Sequence, residues 1–516
     1  MWGDTKGRTM TAQAVEEDLA VVIGLEVHVQ LETETKVFCG CSTEPAAEPN
    51  TNTCPVCLGL PGALPVLNEA AVEAAVKVAK AINAEIPTET RFHRKNYYYP
   101  DLPKNFQITQ YDAPVCRDGS LEIDVEGESR EIDVRRAHLE EDPGSLVHVT
   151  DGTRPLEARR TSIDRADYTL VDYNRAGTPL MEIVTRPDFR GPSEVRAFLA
   201  KLEEVPEYLG VFDSERDGSL RVDANLSVVD GDAVAADGSV PRAVLEAANR
   251  TEVKNISSHK GAEKALSYEA SRQRNAVERG REVEQETRHW DEAKGVTVSM
   301  RAKEAEKDYR YFREADLPPL RVADWRERLS IPELPDARRE RFREEYGLSR
   351  EAASKLTSRK QVADFYEAVA EQFDPDTAAS WVADRLLGEL HYRDMAVADV
   401  QHRLEEFTRL VELVDAGEIT VKNAEERVLR TMLDEGLSPD AVVEREGLGK
   451  TDDDAVVDAV ESAIAEHPDA VEDYHAGEGG AVNFLVGQVM NATGGSADPG
   501  TVNELLRERL DDDGSS

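Results

Sequence analysis

The chain has 516 residues, 40% hydrophobic and 32% charged, with 103 Asp and Glu against 62 Lys and Arg and a net charge of −41. This length predicts about three domains with enough apolar content for real cores. No apolar run approaches the ~18 residues that cross a bilayer, the N-terminus lacks the basic, apolar, small-residue order of a secretory leader, and five cysteines are too few for a disulfide scaffold. Such a chain is expected in the cytoplasm, away from membranes. The acid is spread among periodic apolar segments and Arg outnumbers Lys more than twofold. That is the pattern of a halophilic surface, hydrated even where salt shortens the Debye length to ~3 Å at 1 M.

Residues 1–18 carry no apolar period and are expected to form a disordered tail. From 19 to 322, short β-rich runs such as AVVIGLEVHVQL, LEIDV, GSLVHV, PLMEIVT and SLRVDANLSVV alternate with helical stretches over 68–82, 193–209 and 261–281. This predicts an α+β, β-rich domain. After DLPPL (316–320) strand signals vanish, and 323–406 reads as an all-helical domain. The helical period continues over 407–510, broken by turns at Gly417, Gly436, Gly447 and the glycines at 477–480, which predicts a small helical tail domain. Residues 511–516 read as a charged, disordered end.

Within the first domain, Cys39-Gly40-Cys41 and Cys54-Pro55-Val56-Cys57 form a C-x-C and C-x-x-C pair twelve residues apart. Four thiolates at ~2.3 Å would close a tetrahedral Zn²⁺ shell with no open position, which makes the expected zinc structural. The loop between them, STEPAAEPNTNT, has no period of its own and needs such a clip. Free thiols or a redox pair are the alternative, and Cys116 has no partner in sequence.

In VIGLEVHVQL an apolar strand is interrupted by Glu26 and His28, two residues apart and so on one face. RRAHLEEDPG offers His138, Glu140 and Glu141, and PLMEIVT carries a single Glu182. Burying such groups is costly unless they pair or bind metal. Strand-borne acids with a histidine can converge on a divalent cation that holds nucleotide phosphates; a solvated strand face or a hydrogen-bond network is the alternative. Neither G-x-x-x-x-G-K-[ST] nor G-x-G-x-x-G occurs, which excludes the common phosphate loops.

FHRKNYYYPDLPKNFQITQY (92–111) sets aromatic residues among His93, Arg94, Lys95 and Lys104, and EKDYRYFREADLPP (306–319) forms a second such block. Aromatics beside cations stack a base or line a polar passage; a loop anchored by its tyrosines is the plainer reading.

Together the blocks IGLEVHVQL, FCGC, CPVCLGLPGALPVLN, RKNYYYPDLPK, FQITQY, HLEEDPG, VDYNRAGTPLMEIV, GSLRVDANLSV, EVKNISS, KDYRYF and NFLVGQVM resemble the B-subunit family of the aspartyl/glutamyl-tRNA amidotransferases. The resemblance runs from about residue 22 to 510. It implies a cradle domain with a kinase-like site that uses ATP and Mg²⁺ to phosphorylate the side-chain carboxylate of Asp or Glu misacylated on tRNA(Asn) or tRNA(Gln). Ammonia then displaces phosphate. A carboxylate offers ammonia no leaving group and an acyl phosphate does, so activation comes first. A partner amidase (A) subunit is implied as the ammonia source, through a tunnel, with a small C subunit completing a heterotrimer. Carried over by position, the family's magnesium ligands fall on Glu26, His28, Glu141 and Glu182, with Glu141 preferred to Glu140. Its tunnel residues fall on Lys95 and Lys104, with Glu141 near the tunnel mouth. The helical domain and the tail are implied to bind tRNA. Two departures stand out: YFREADLPP where the family usually has YFPEPDLPP, and a longer stretch over 145–167.

Overall fold

The computed structural model describes residues 19–46, 48–150, 159–160, 166–214, 216, 218–235, 238–301, 309–449, 453–476, 480–494, 497 and 499–513. The expected N-terminal tail, much of the long stretch 145–167, the beginning of the second aromatic block and residues 514–516 lie outside the described residues.

The chain is mixed in class, with a sheet-rich N-terminal part and a helical C-terminal part. The first elements are β1 (Leu19–Gln30), α1 (Glu69–Ala81), β2 (His93–Asn96), β3 (Phe106–Thr109), β4 (Cys116–Val125) and β5 (Glu128–Glu141). Then come β6 (Ser145–Thr150), β7 (Arg159–Arg160), β8 (Tyr168–Asp172), β9 (Pro179–Thr185), α2 (Pro192–Tyr208) and β10 (Leu220–Asp230). The series closes with α3 (Arg242–Ala247), β11 (Thr251–Ile256), α4 (His259–Glu278), β12 (Thr287–Asp291), β13 (Val296–Arg301), β14 (Phe312–Arg313) and α5 (Ala323–Arg328). Eight strands pair in the order β13-β12-β11-β10-β1-β9-β5-β4, all antiparallel except β11 with β12. Two small sheets, β14-β2-β3 and β7-β6-β8, complete the domain.

The alternation in β1 divides the large sheet into two unlike faces. Ile23, Leu25, Val27 and Val29 are buried in one core with Val72 and Val76 of α1, Phe198 and Leu202 of α2, and Ala265 and Leu266 of α4. Truncating one such large side chain to Ala would cost about 2–5 kcal/mol. The alternate residues Gly24, Glu26 and His28 face the other way, opposite Asn225, Asp223 and Arg221 of β10. An unbroken apolar face against helices thus forces the polar residues of the central strands onto a single opposite face.

Two compact units divide at Leu334 and Pro335 rather than at 322 and 323. The reason is packing: Trp325 of α5, with Leu329, Ile331 and Leu334, lies against the sheet domain's core. In the helical part the core does not break at 407. Phe407 is buried against Phe365 and Trp381, and one cluster runs from Phe342 to Leu448. A separate cluster runs from Val456 to Leu510. The last helix extends over Pro499–Asp513, so residues 511–513, read as a frayed end, continue it; Asp511 accepts a hydrogen bond from the Tyr474 hydroxyl at 2.9 Å.

Candidate active site

On the polar face of the sheet, antiparallel register sets His28 of β1 and His138 of β5 on either side of Glu182 in β9. His28 Nε2 lies 3.5 Å from Glu182 Oε2 and 3.5 Å from Glu140 Oε1. His138 Nε2 lies 3.6 Å from Glu182 Oε2, and an Arg136 guanidinium nitrogen lies 3.9 Å from Glu182 Oε1. Glu140 and Glu182 are only 2% and 6% exposed. Burial, and then the Glu182 charge, pushes the Glu140 carboxyl above its usual range. Burial opposes charge on His28, but the bond to Glu182 and the Glu140 charge outweigh it and raise its pKa. Burial dominates at His138, with the charges of Arg136, Lys95 and His28 adding to it, so its pKa falls to about 4 and it is neutral near pH 7.

One ligand atom each from His28, Glu140 and Glu182 lie within 4.8 Å of one another. Two buried carboxylates and an imidazole at that spacing fit a divalent cation, whose charge would offset their mutual repulsion. Of the four residues expected to ligate magnesium, the structure thus brings together His28 and Glu182, joined by Glu140. Glu141 is turned elsewhere: its Oε2 accepts from Lys104 Nζ at 2.5 Å and its Oε1 from the Ile108 amide at 2.7 Å. Consecutive strand residues point to opposite sides, so the two glutamates cannot share one cluster. Glu26 lies on the same face of β1 as His28, where it lines an adjoining cleft.

That cleft has a volume of about 490 Å³ and is floored by Gly24, Asn225 and Ser227. Arg135, Arg186, Arg242 and Arg250 surround it, in a chain of net charge −41. Four guanidinium groups around one concavity suit an anionic ligand. None of the four stands out in the sequence, because they come from separate segments and the only sequence signal is their shared charge.

Of the tunnel candidates, Lys95 lies beside the cluster's acids and Lys104 beside Glu141. Lys95 Nζ is 5.0 Å from the Tyr309 ring centroid and 5.8 Å from that of Tyr97. Burial works against its charge, yet Glu140 and Glu182 raise its pKa. Lys104, buried with Glu141, is pressed by the loop after the cysteines: a Cβ on Gly59, which has φ +65°, would collide with the Lys104 side chain. In the departing YFREADLPP segment, Glu314 is buried and takes Arg94 in a two-point ion pair at 2.6 and 2.8 Å, which anchors the turn. No sequence pattern marks this pair, since 220 positions separate its members.

Cys39, Cys41, Cys54 and Cys57 converge, with one sulfur each within 4.8 Å of the others. The Cys54 amide donates to Cys57 Sγ at 3.1 Å, the geometry of a turn built to hold thiolates. The bond to Cys39, assisted by Lys36, holds the Cys57 thiol well below the usual range. Four thiols so gathered fit a tetrahedral thiophilic ion such as Zn²⁺. Cys116 lies apart, buried in the sheet core.

A family model described as the GatB/GatE catalytic domain matches residues 21–327, and one described as the GatB domain matches residues 364–510. The chain is 74% identical over 504 residues to the B subunit of the aspartyl/glutamyl-tRNA(Asn/Gln) amidotransferase of Haloarcula marismortui, covering 97% of this chain and 100% of the relative. It is 74% identical over 505 residues to the protein of the same name from Natronomonas pharaonis, with 97% and 100% covered. To that of Methanospirillum hungatei it is 52% identical over 502 residues, with 96% and 99% covered. With more than half its length matched by the catalytic-domain model and relatives of this identity, the chain belongs to the GatB/GatE family.

Proposed function

We propose that this chain is the B component of a glutamine-hydrolysing aspartyl/glutamyl-tRNA amidotransferase. Its sheet domain activates the side-chain carboxylate of Asp or Glu misacylated on tRNA(Asn) or tRNA(Gln) by phosphoryl transfer from ATP. The single observation carrying this reading is the cluster of His28 with the buried Glu140 and Glu182 beside an arginine-lined cleft. Phosphoryl transfer needs little beyond positioning and charge compensation, and those two features supply both.

His28, Glu140 and Glu182 would hold the cation, with Glu140 taking the role that resemblance alone gave to Glu141. A bound Mg²⁺ would supply neutralisation of phosphate charge there. The arginines of the cleft bind the nucleotide's anionic part, and Gly24 leaves the floor open to it. Glu26 lines both the cleft and the strand face leading to His28, so it orients the nucleotide end nearest the cluster. Neutral His138, wedged against Glu182, fixes that carboxylate.

Ammonia is supplied by a partner amidase, with a small third subunit in the assembly. The buried Lys104 and Glu141 pair is the polar gate on its route, and Lys95 lines the passage where it meets the acids. Zinc in the four-cysteine shell has a structural role, pinning the loop that presses on Lys104. The helical part binds tRNA, and the reaction runs in the cytoplasm where tRNAs are charged. Among the described residues no helix is long and apolar enough to cross a membrane.

The test is amide formation on misacylated tRNA by the chain assembled with its partners. Product should require ATP and be lost in Glu182→Gln even when free ammonia replaces glutamine. Product formation without ATP would overturn the reading.

A further inference from the structure

Beside the acid cluster, on the side of β2 and β3, lies a run of stacked tyrosines that no step above uses. Tyr111 and Tyr311 have ring centroids 4.2 Å apart and planes within 9° of parallel. Tyr309 meets Tyr311 edge-on at 6.1 Å and covers Lys95. His93 meets Tyr111 edge-on at 6.1 Å. One face of Tyr111 is therefore taken by Tyr311 and one edge by His93, and the residue remains 36% exposed. The chain is 6% aromatic, and Tyr98 and Tyr99 in the loop after β2 and Phe312 on β14 are also exposed.

The stack touches the site's electrostatics and its hydrogen bonds. The Tyr311 hydroxyl feels the charges of Lys95, Glu182 and Glu140. Thr109, two residues before Tyr111, donates to Glu140 Oε2 at 3.3 Å. The arginine-lined cleft, bordered by Glu26 on β1, shares no lining residue with the stack. Phosphoryl transfer runs in line, with leaving group and nucleophile on opposite sides of the phosphorus. With the nucleotide held in the cleft, the carboxylate must reach the cluster by a separate way, and the tyrosine stack flanks the cluster through Thr109 and Glu140. That carboxylate is tethered by an ester to the ribose of the terminal nucleoside of tRNA, so its base arrives with it.

We propose that Tyr111, backed by Tyr311, is the stacking platform for the 3′-terminal base of the misacylated tRNA. The proposal rests on the amidotransferase reading and adds to it the subsite that positions the reacting end. Tyr311 fixes the plane of Tyr111, and His93 holds its edge. The part of Tyr111 left exposed then offers a π surface to a base, a contact that tolerates any base and is typically worth about 5- to 100-fold in affinity. Stacking the base orients the ester, and so the side-chain carboxylate, toward Glu140 and Glu182.

The experiment uses the assembled complex and tRNA carrying 2-aminopurine at its 3′ end, whose fluorescence is quenched by stacking. Wild type should quench it on binding, without ATP. Tyr111→Leu should lose most of the quench and raise the KM for misacylated tRNA about 5- to 100-fold, while Tyr111→Phe, which keeps the π face, should retain both. Removing the terminal nucleoside from the tRNA should weaken wild type but leave Tyr111→Leu little changed, an outcome a misfolded variant would not give. An undiminished quench in Tyr111→Leu overturns the proposal, as does equal damage from Tyr111→Phe or loss of the wild-type quench on saturation with ATP. Those results would leave the amidotransferase reading standing; it falls instead if the wild-type complex makes no amide on misacylated tRNA.

Discussion

Glu140 and Glu141 follow one another on β5, yet their carboxylates serve separate environments: Glu140 lies 3.5 Å from the His28 imidazole, and Glu141 is 2.5 Å from the Lys104 ammonium. One strand position therefore divides the acid cluster from the Lys104 ion pair, and each carboxylate can be removed without touching the other.

That division predicts a split between variants. Glu140→Gln should weaken divalent-cation binding at least about tenfold and lower ATP-dependent activation by about 10²–10³, the scale of losing one preorganised charge contact. Glu141→Gln should leave cation binding intact and lower the use of glutamine relative to free ammonia, because Lys104 loses its partner. Cation titration and a comparison of the two nitrogen donors measure both effects. Equal defects from the two changes would contradict the division.

Cation affinity should depend on pH in a defined direction. The pKa of His28 is raised in the cluster, and a protonated imidazole cannot ligate. Affinity should therefore fall as pH drops through that raised value, which lies above the ordinary ~6.5, and level off at higher pH. Calorimetric titration with Mg²⁺ across about pH 6 to 8.5 should show it. Affinity that is flat over that range would mean the imidazole is not a ligand.

Purified protein should contain about one zinc per chain, bound by the four clustered cysteines. Cys54→Ser should lose the ion and loosen the loop after Cys57, seen as faster amide exchange around Gly59 and poorer use of glutamine through Lys104. A metal-free protein with an equally protected loop would refute the structural role.

The helical part offers a test of boundaries. Ending the chain after Leu448 should leave the middle core folded and raise the KM for tRNA roughly tenfold, through lost remote binding energy. Ending it before Phe407 should unfold the middle core, because Phe407, Leu410 and Val411 are buried in it. Phe407→Ala alone should cost about 3–5 kcal/mol. Circular dichroism and tRNA binding of the two truncations distinguish these outcomes.

Much of the fold and the site is legible in the amino-acid sequence. The alternation of Ile23, Leu25 and Val27 with Gly24, Glu26 and His28 announces a two-faced strand, and C-x-C with C-x-x-C announces four sulfurs around one centre. The side of β5 on which Glu140 lies is legible in the alternation of buried Ala137 and Leu139 with His138 and Glu140, a local signal that carrying positions over from the family resemblance overrode in favour of Glu141. A register shift between Val134 and Arg136 resets that face, and the odd step from buried Val134 to buried Ala137 marks it. The break expected at 407 is misplaced for a different reason: a helical period continues unchanged across a core, and only packing reports where one core ends. The arginine cleft is invisible in sequence because its cations come from four segments that meet only in the folded sheet.

In the proposed function, the His28, Glu140 and Glu182 cluster directs phosphoryl transfer to the substrate carboxylate. The most direct measurement of that role supplies the assembled complex with γ-labelled ATP and misacylated tRNA, without any ammonia source, and follows label on the aminoacyl end. Wild type should transfer label to the side-chain carboxylate and release phosphate and amide on later addition of ammonia, whereas Glu182→Gln should bind the tRNA and transfer none. Label transfer by Glu182→Gln at the wild-type rate would contradict that role.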